Sequence, residues 1–330
     1  MLTALVRASL ANRLLVLAGT LLLIVIGGVA AARLPVDAVP DVTNVQVQII
    51  TSAPALSPLE VEQYVTFPVE RGLGGTPGLA ELRSISRYGL SVVTAVFHDG
   101  TDLYFARQQV SERLREVADA IPARYGRPEL GPISSALGEI FQFTLQGEGR
   151  SLMELETLLD WTVIPQLRMV PGVIELNSFG GQDKQYEVKL DPHKLAAVHL
   201  GLADVIDALS RSNANAGGGY IEHNREAVLI RSEGLITNLD DVRSVVVAST
   251  PSGAPILVGS LGTVQFAPRL RRGAATMDGK GEVVVGVALM LLGENSRTVT
   301  QAIKARIAEV QKTLPAGVTL QPFYDRSVFV

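Results

Sequence analysis

Between Val173 and Phe179 a period of two places Glu175, Asn177 and Phe179 on one face of a strand. A charge on the buried face of such a strand is costly unless it fronts a cleft. Glu139 opens another strand, Glu139 to Leu145. Carboxylate and amide oxygens suit zinc, cobalt and similar divalent ions. As ordinary solvent-facing strand residues the two glutamates would bind nothing, and sequence alone leaves both readings open.

Other chemistry is sparse. The four histidines, His98, His193, His199 and His223, have no i, i+4 partner and no HExxH setting. Met153, Met169, Met277 and Met290 are scattered, so a thioether site for copper(I) or silver has little local support. The absence of cysteine removes disulfides and thiolate metal sites together. Gly89-Leu90-Ser91 lacks the flanks of a nucleophile elbow, and Asp99 with Asp102 fits turn and cap positions before a helix, so no enzyme activity and no catalytic residue are expected. A net charge of −4 without a basic cluster argues against nucleic acid as a partner.

These residues must be carried by something, and the first element met is Leu14 to Ala32, nineteen residues without a charge. As a helix it spans roughly 28 Å, close to the hydrocarbon thickness of a bilayer. Arg7 and Arg13 precede it and Asp37 and Asp41 follow Arg33, so the positive-inside bias puts residues after Arg33 outside the cytoplasm. A cleaved signal peptide is the competing reading, with Ala30, Ala31 and Ala32 as its small residues. The apolar run is longer than a signal core of about 7 to 15 residues, which favours a retained helix.

After it, Val45, Val47 and Ile49 alternate with Asn44, Gln46 and Gln48 as a one-sided strand, and Ser57-Pro58-Leu59-Glu60 begins a helix through a capping box. Pro68 and the glycines 72, 74 and 75 stop or kink that helix. Two antiparallel strands, Leu82 to Arg87 and Leu90 to Phe97, lead to a helix whose Leu103, Ala106, Val110, Leu114, Val117 and Ile121 form one stripe. This βαββα order needs one more strand to complete a split βαβ sandwich.

The pattern restarts with Glu139 to Leu145, a second capping box at Ser151 to Glu154, and the strand Val173 to Phe179. Its second half is displaced to a strand at Val283 to Leu292, a helix striped by Val299, Ile303, Ile307, Val310 and Leu314, and a strand at Val318 to Phe323. About 90 residues, roughly Gln182 to Arg271, are inserted between, enough for a small domain with its own helix (Leu202, Val205, Ile206, Leu209). Within the insertion, Asn213, Asn215, Gly217, Gly218, Gly219 and Tyr220 belong to an arm that runs into a hairpin turned at Asn224 and Arg225. It is a surface loop or an arm reaching a neighbouring subunit.

Several ordered stretches, LPVDAVPDVTNVQVQ at 34–48, SRYGLS at 86–91, DGTDLYFARQ at 99–108, GPISSALGEI at 131–140, PQLRMVPGV at 165–173, GGGYIE at 217–222 and GENSR at 293–297, make the chain resemble a known family. It is the heavy-metal branch of the resistance-nodulation-division (RND) efflux pumps, and within it the cobalt/zinc/cadmium type inner-membrane pump protein. The resemblance covers all 330 residues. It implies an α+β chain with one transmembrane helix in residues 1–34 and two ferredoxin-like porter subdomains, 35–131 and 132–181 with 272–327. A docking subdomain at 182–271 carries the arm at about 212–232, and 328–330 begin a second membrane segment.

The resemblance also implies a homotrimer in the bacterial inner membrane. Its partners are a periplasmic adaptor, an outer-membrane channel and membrane lipid, and its cargo is a transported divalent ion rather than a tightly bound cofactor. It puts Glu139, Glu175 and Asn177 at the substrate cleft, on neighbouring strands, and Ala55 where the family has glycine. The family's proton-relay carboxylates lie on a later membrane helix, and Leu14 to Ala32 has no ionisable group with which to move protons. A membrane-anchored periplasmic metal-binding or assembly module without transport is the alternative.

Overall fold

A computed structural model describes residues 9–32, 42–135, 137–215, 217–223, 226–231, 234–271 and 273–329. Arg7, Arg33, Pro35, Asp37, Pro40, Asp41 and the expected turn at Asn224 and Arg225 lie outside them. The chain divides into two compact units. The first takes its described residues from Met1–Glu148, Leu159–Phe179 and Val285–Val330, and the second comprises Gly149–Leu158 and Gly180–Val284.

The first helix, α1 (Arg13–Ala32), is 20 residues long, so about 30 Å. Its side chains are exposed along its length, as an apolar helix in lipid would present them, and Arg13–Ala31 has a mean hydropathy of 2.7. Next come β1 (Gln46–Ser52), α2 (Pro58–Val61) and, after a π-helical turn at Glu62–Thr66, α3 (Phe67–Leu73). Ser57 and Glu60 close the capping box, with Ser57 N–H donating to Glu60 Oε2 at 2.8 Å. Pro68 does not end this helix. It has no N–H for the carbonyl four residues back, and the wider π turn directly before it absorbs that missing bond.

The hairpin β2 (Leu79–Arg87) and β3 (Leu90–Phe97) follows, then α4 (Leu103–Ala118), capped by Asp102, and β4 (Pro128–Leu130). These strands form one antiparallel sheet in the order β2-β3-β1-β4, so β4 supplies the strand that the βαββα pattern lacks. Under the helices lie Val47, Ile49, Val61, Val65, Val69, Phe97, Ala106, Val110 and Leu114, the predicted stripe of α4 among them. Each fully buried aliphatic of this kind contributes about 1.5–3 kcal/mol.

The second half of the chain opens with β5 (Glu139–Gly147), α5 (Leu152–Leu158), a second π turn at Leu159–Val163, α6 (Ile164–Leu167) with Pro165 at its start, and β6 (Val173–Gly180). The cap, the π turn and the proline recur in the order seen in α2 and α3. Then come β7 (Lys184–Leu190), α7 (Pro192–Ala197), α8 (Leu202–Arg211), β8 (Gly217–His223), β9 (Glu226–Arg231), α9 (Leu239–Ser244), β10 (Val246–Ser249), β11 (Pro255–Leu257), α10 (Val258–Leu261), β12 (Gly262–Pro268) and β13 (Ala275–Thr276). Last are β14 (Glu282–Met290), α11 (Ser296–Val310) and β15 (Val318–Asp325).

In the five-stranded second sheet, β6, β14, β5 and β15 lie side by side in that order, which repeats the order β2-β3-β1-β4 of the first sheet, and the short β13 also pairs with the start of β14. Val299, Ile303, Ile307, Val310 and Leu314 are buried, as their spacing predicts, together with Phe141, Phe143, Leu145, Leu159, Val163 and Leu167. Gly286 of β14 lies against Phe143: a Cβ there would stand 2.4 Å from the ring.

The second unit has its own core of Val205, Ala208, Val242, Val245, Val258, Leu261 and Val264. Val205 is buried as expected, whereas Leu202 and Ile206 are exposed, at 60% and 52%. The buried face of α8 runs through Val205, Ala208 and the partly buried Leu209, which packs on the same core.

Candidate cation path and arm

Glu139 is the first residue of β5 and is exposed, with Gln142 Nε2 donating to Glu139 Oε2 at 3.1 Å. On β6, Leu176 is buried while Glu175 and Asn177 are half-buried and Phe179 is exposed. Period two therefore turns Glu175, Asn177 and Phe179 away from the core. The strands of Glu139 and Glu175 are not neighbours, contrary to the expectation from resemblance: β14 lies between them. They still reach the same end of the sheet. Met290 N–H donates to Gly138 O at 2.8 Å, and Leu291 N–H donates to Gly172 O at 2.9 Å, so the end of β14 is flanked by the starts of both glutamate strands.

The segment that delivers Glu139 is pinned along its described residues. Gly131 N–H donates to Gln48 O at 2.8 Å, and its own carbonyl accepts from Arg107 Nη1 at 2.7 Å. Burial pushes the Arg107 guanidinium down from its ordinary value. Further along, Ile133 O accepts from Leu292 N–H at 3.2 Å, and Leu137 O accepts from Nη1 of Arg326, which is only 4% exposed.

Next to Arg326, Asp325 ends β15 and forms an ion pair with Lys304 of α11. It also accepts from Ser327 N–H at 2.9 Å and Ser327 Oγ at 2.6 Å. Burial alone would raise the Asp325 carboxyl, but Lys304 and Ser327 outweigh it and hold it below the usual carboxylate range. Arg107 and Arg326 escape a reading of the sequence alone because both meet carbonyls from distant segments.

In the second unit β8 and β9 pair antiparallel, with Tyr220 opposite Leu229, and form the hairpin of the arm. Two of the predicted arm residues tie its base together. Asn213 Oδ1 accepts from Ile236 N–H at 3.0 Å and Asn215 Oδ1 from Gly234 N–H at 3.0 Å, so the outgoing leg is bonded to the returning one. Tyr220 is exposed at 64% and Gly219 has φ +77°, a conformation that glycine adopts without strain. Of the histidines, His98, His193 and His199 are exposed.

Two halves with the same strand order, one apolar helix and an inserted unit with a hairpin arm define the class. Residues 5–330 match the sequence profile of the AcrB/AcrD/AcrF family, and the chain belongs to that family of RND efflux proteins. It is 47% identical to Protein HelA of Legionella pneumophila, over 100% of this chain and 32% of that protein. With the cobalt-zinc-cadmium resistance protein CzcA of Cupriavidus metallidurans it shares 48% identity over 90% of this chain and 29% of the relative. With the cation efflux system protein CusA of Escherichia coli K12 the figures are 38%, 98% and 31%.

The crystal structure of a heavy metal efflux pump superposes with a TM-score of 0.88 at 35% identity, covering 98% of this chain and 32% of that one. The chain is thus homologous to heavy-metal efflux proteins and spans about a third of their length.

Proposed function

We propose that this chain is the N-terminal portion of a proton-driven pump that exports a divalent metal cation such as cobalt, zinc or cadmium. The observation that carries the reading is the superposition of 98% of the chain on a heavy metal efflux pump. In this reading the sheet of β1 to β4 and the β6-β14-β5-β15 part of the second sheet belong to ferredoxin-like porter subdomains, residues 182–271 are a docking subdomain, and α1 anchors the chain in the inner membrane with residues after Arg33 in the periplasm. The arm reaches the next protomer of a trimer, and the assembly meets a periplasmic adaptor and an outer-membrane channel.

Glu139, Glu175 and Asn177 belong to the cation path. Their support is their placement at one end of a sheet on either side of β14, with side chains that are exposed or half-buried. A divalent ion sheds water only for several anionic or imidazole ligands, and two carboxylates are too few for tight binding. The 330-residue chain alone therefore binds zinc or cobalt weakly, and the remaining ligands come from the rest of the pump. In a strain lacking its own exporter, the pump with Glu139→Gln or Glu175→Gln should confer less zinc and cobalt tolerance at equal abundance on immunoblots. Unchanged tolerance in both variants refutes the assignment, and lost abundance moves these residues from transport to folding.

A further inference from the structure

We infer that Arg326 is a positioning residue for Glu139, an inference that rests on the reading of Glu139 as part of the cation path. The end of β15 reaches the start of β5 from two directions. Through the sheet, Tyr324 is the register partner of Gln142 and Asp325 that of Phe141, and Gln142 in turn holds the Glu139 carboxylate at 3.1 Å. Through the loop, Arg326 donates to the carbonyl of Leu137, two residues before Glu139.

Arg326 is itself held in place. It follows Asp325, whose carboxylate is fixed by Lys304 on α11 and by the backbone and hydroxyl of Ser327. A guanidinium at 4% exposure has surrendered most of its water, so its bond to Leu137 O is worth more than a surface one and is not readily exchanged for solvent.

Leu137 and Gly138 carry further bonds, with Leu137 N–H on Ser135 Oγ at 3.2 Å and Gly138 O on Met290 N–H at 2.8 Å. Arg326 is the cation in this set and the member that comes from the end of the last strand. A shift of Asp325-Arg326-Ser327 would draw on the carbonyl of Leu137 and so move the Glu139 backbone. Arg326 thereby makes the position of one cation-path carboxylate depend on where β15 ends.

The test uses the whole pump polypeptide that carries this chain. A nitroxide on Glu139→Cys reports local mobility, with a second label on Lys312→Cys as a remote control. Arg326→Gln should sharpen the spectrum at 139 and leave that at 312 unchanged. Arg326→Lys, which keeps the charge but not the planar fork, should give an intermediate spectrum, and it decides the matter if Arg326→Gln does not fold. Unchanged spectra at 139 in a folded variant overturn the inference.

In metal-loaded cells without labels, Arg326→Gln should raise the zinc concentration for half-maximal export roughly tenfold with the maximal rate preserved, as expected for losing one charged hydrogen bond at the site. Arg326→Lys should recover part of it. In a Glu139→Gln background the same change should do nothing further; an equal shift there overturns the inference. Should Glu139→Gln itself leave export unchanged, the cation-path reading of Glu139 falls, and the label at 139 then decides positioning on its own.

Discussion

Replacing Gly286 by alanine tests how tightly the strand between the two glutamate strands is packed. The added methyl carbon would stand 2.4 Å from Phe143 Cζ and 2.8 Å from both Cε atoms. Phe143 has no exposed surface, so its ring can yield only by displacing packed neighbours. An accommodated methyl would gain about 0.8 kcal/mol, and removing a glycine from a strand would gain about 0.5–1 kcal/mol more. Overpacking costs about 1–3 kcal/mol, and a contact this short against a fixed aromatic ring belongs at or above the top of that range. The balance is a loss of about 1–2 kcal/mol.

Phe143→Leu removes the ring atoms that collide and on its own should cost about 1–2 kcal/mol through the cavity it leaves. Together the two changes should cost less than their sum by about 1 kcal/mol or more, because each relieves the other. Urea unfolding of the detergent-solubilised chain, followed by circular dichroism at constant m-value, measures all four corners of the cycle. A Gly286→Ala protein as stable as the parent, or a strictly additive double variant, refutes the packing argument.

Two further outcomes are expected. Ala55 has φ +73°, in the left-handed region, and Ala55→Gly should raise stability by up to about 1 kcal/mol as seen in the urea midpoint; a lowered midpoint would mean that unfolded-state entropy outweighs the strain. Asp325 is held below its ordinary value of 3.8, so the stability it contributes is complete above that value and is lost as pH falls through the lower folded one. Melting temperatures of the parent and Asp325→Asn should therefore differ by a constant amount from neutral pH to about pH 5 and converge only below about pH 4. Convergence already between pH 7 and 5 would assign the effect to another group.

Much of the local structure is legible in the sequence because its causes are local. Ser57 with Glu60, Ser151 with Glu154, Asp102 and Asn295 all cap helices through their own first turns. The stripes of α4 and α11 are buried where a 3.6-residue period puts them. What escapes is whatever depends on a distant segment. Pro68 with the following glycines reads as a stop or a kink; the helix does end before Gly74, but the sequence does not announce the π turn before Pro68. The separation of Glu139 from Glu175 arises from a strand that begins more than a hundred residues after β6 ends. Ala55 is the opposite case: resemblance alone marks it as out of place, and its positive φ supplies the physical reason.

That interleaved strand also sets a schedule for synthesis. The first sheet is complete in an unbroken run of chain, but β5 and β6 are made long before β14, the strand that pairs with both. A ribosome adding about 5–20 residues per second needs roughly 5–20 s to make the hundred or so residues from Gly180 to Glu282. Throughout that interval the edges of β5 and β6 lack their central partner, and Phe143 lacks the strand whose Gly286 lies against its ring. The intervening stretch has its own core, so it can close while the older strands wait. Lengthening or shortening that stretch would change the waiting time of the nascent sheet without altering a residue in it.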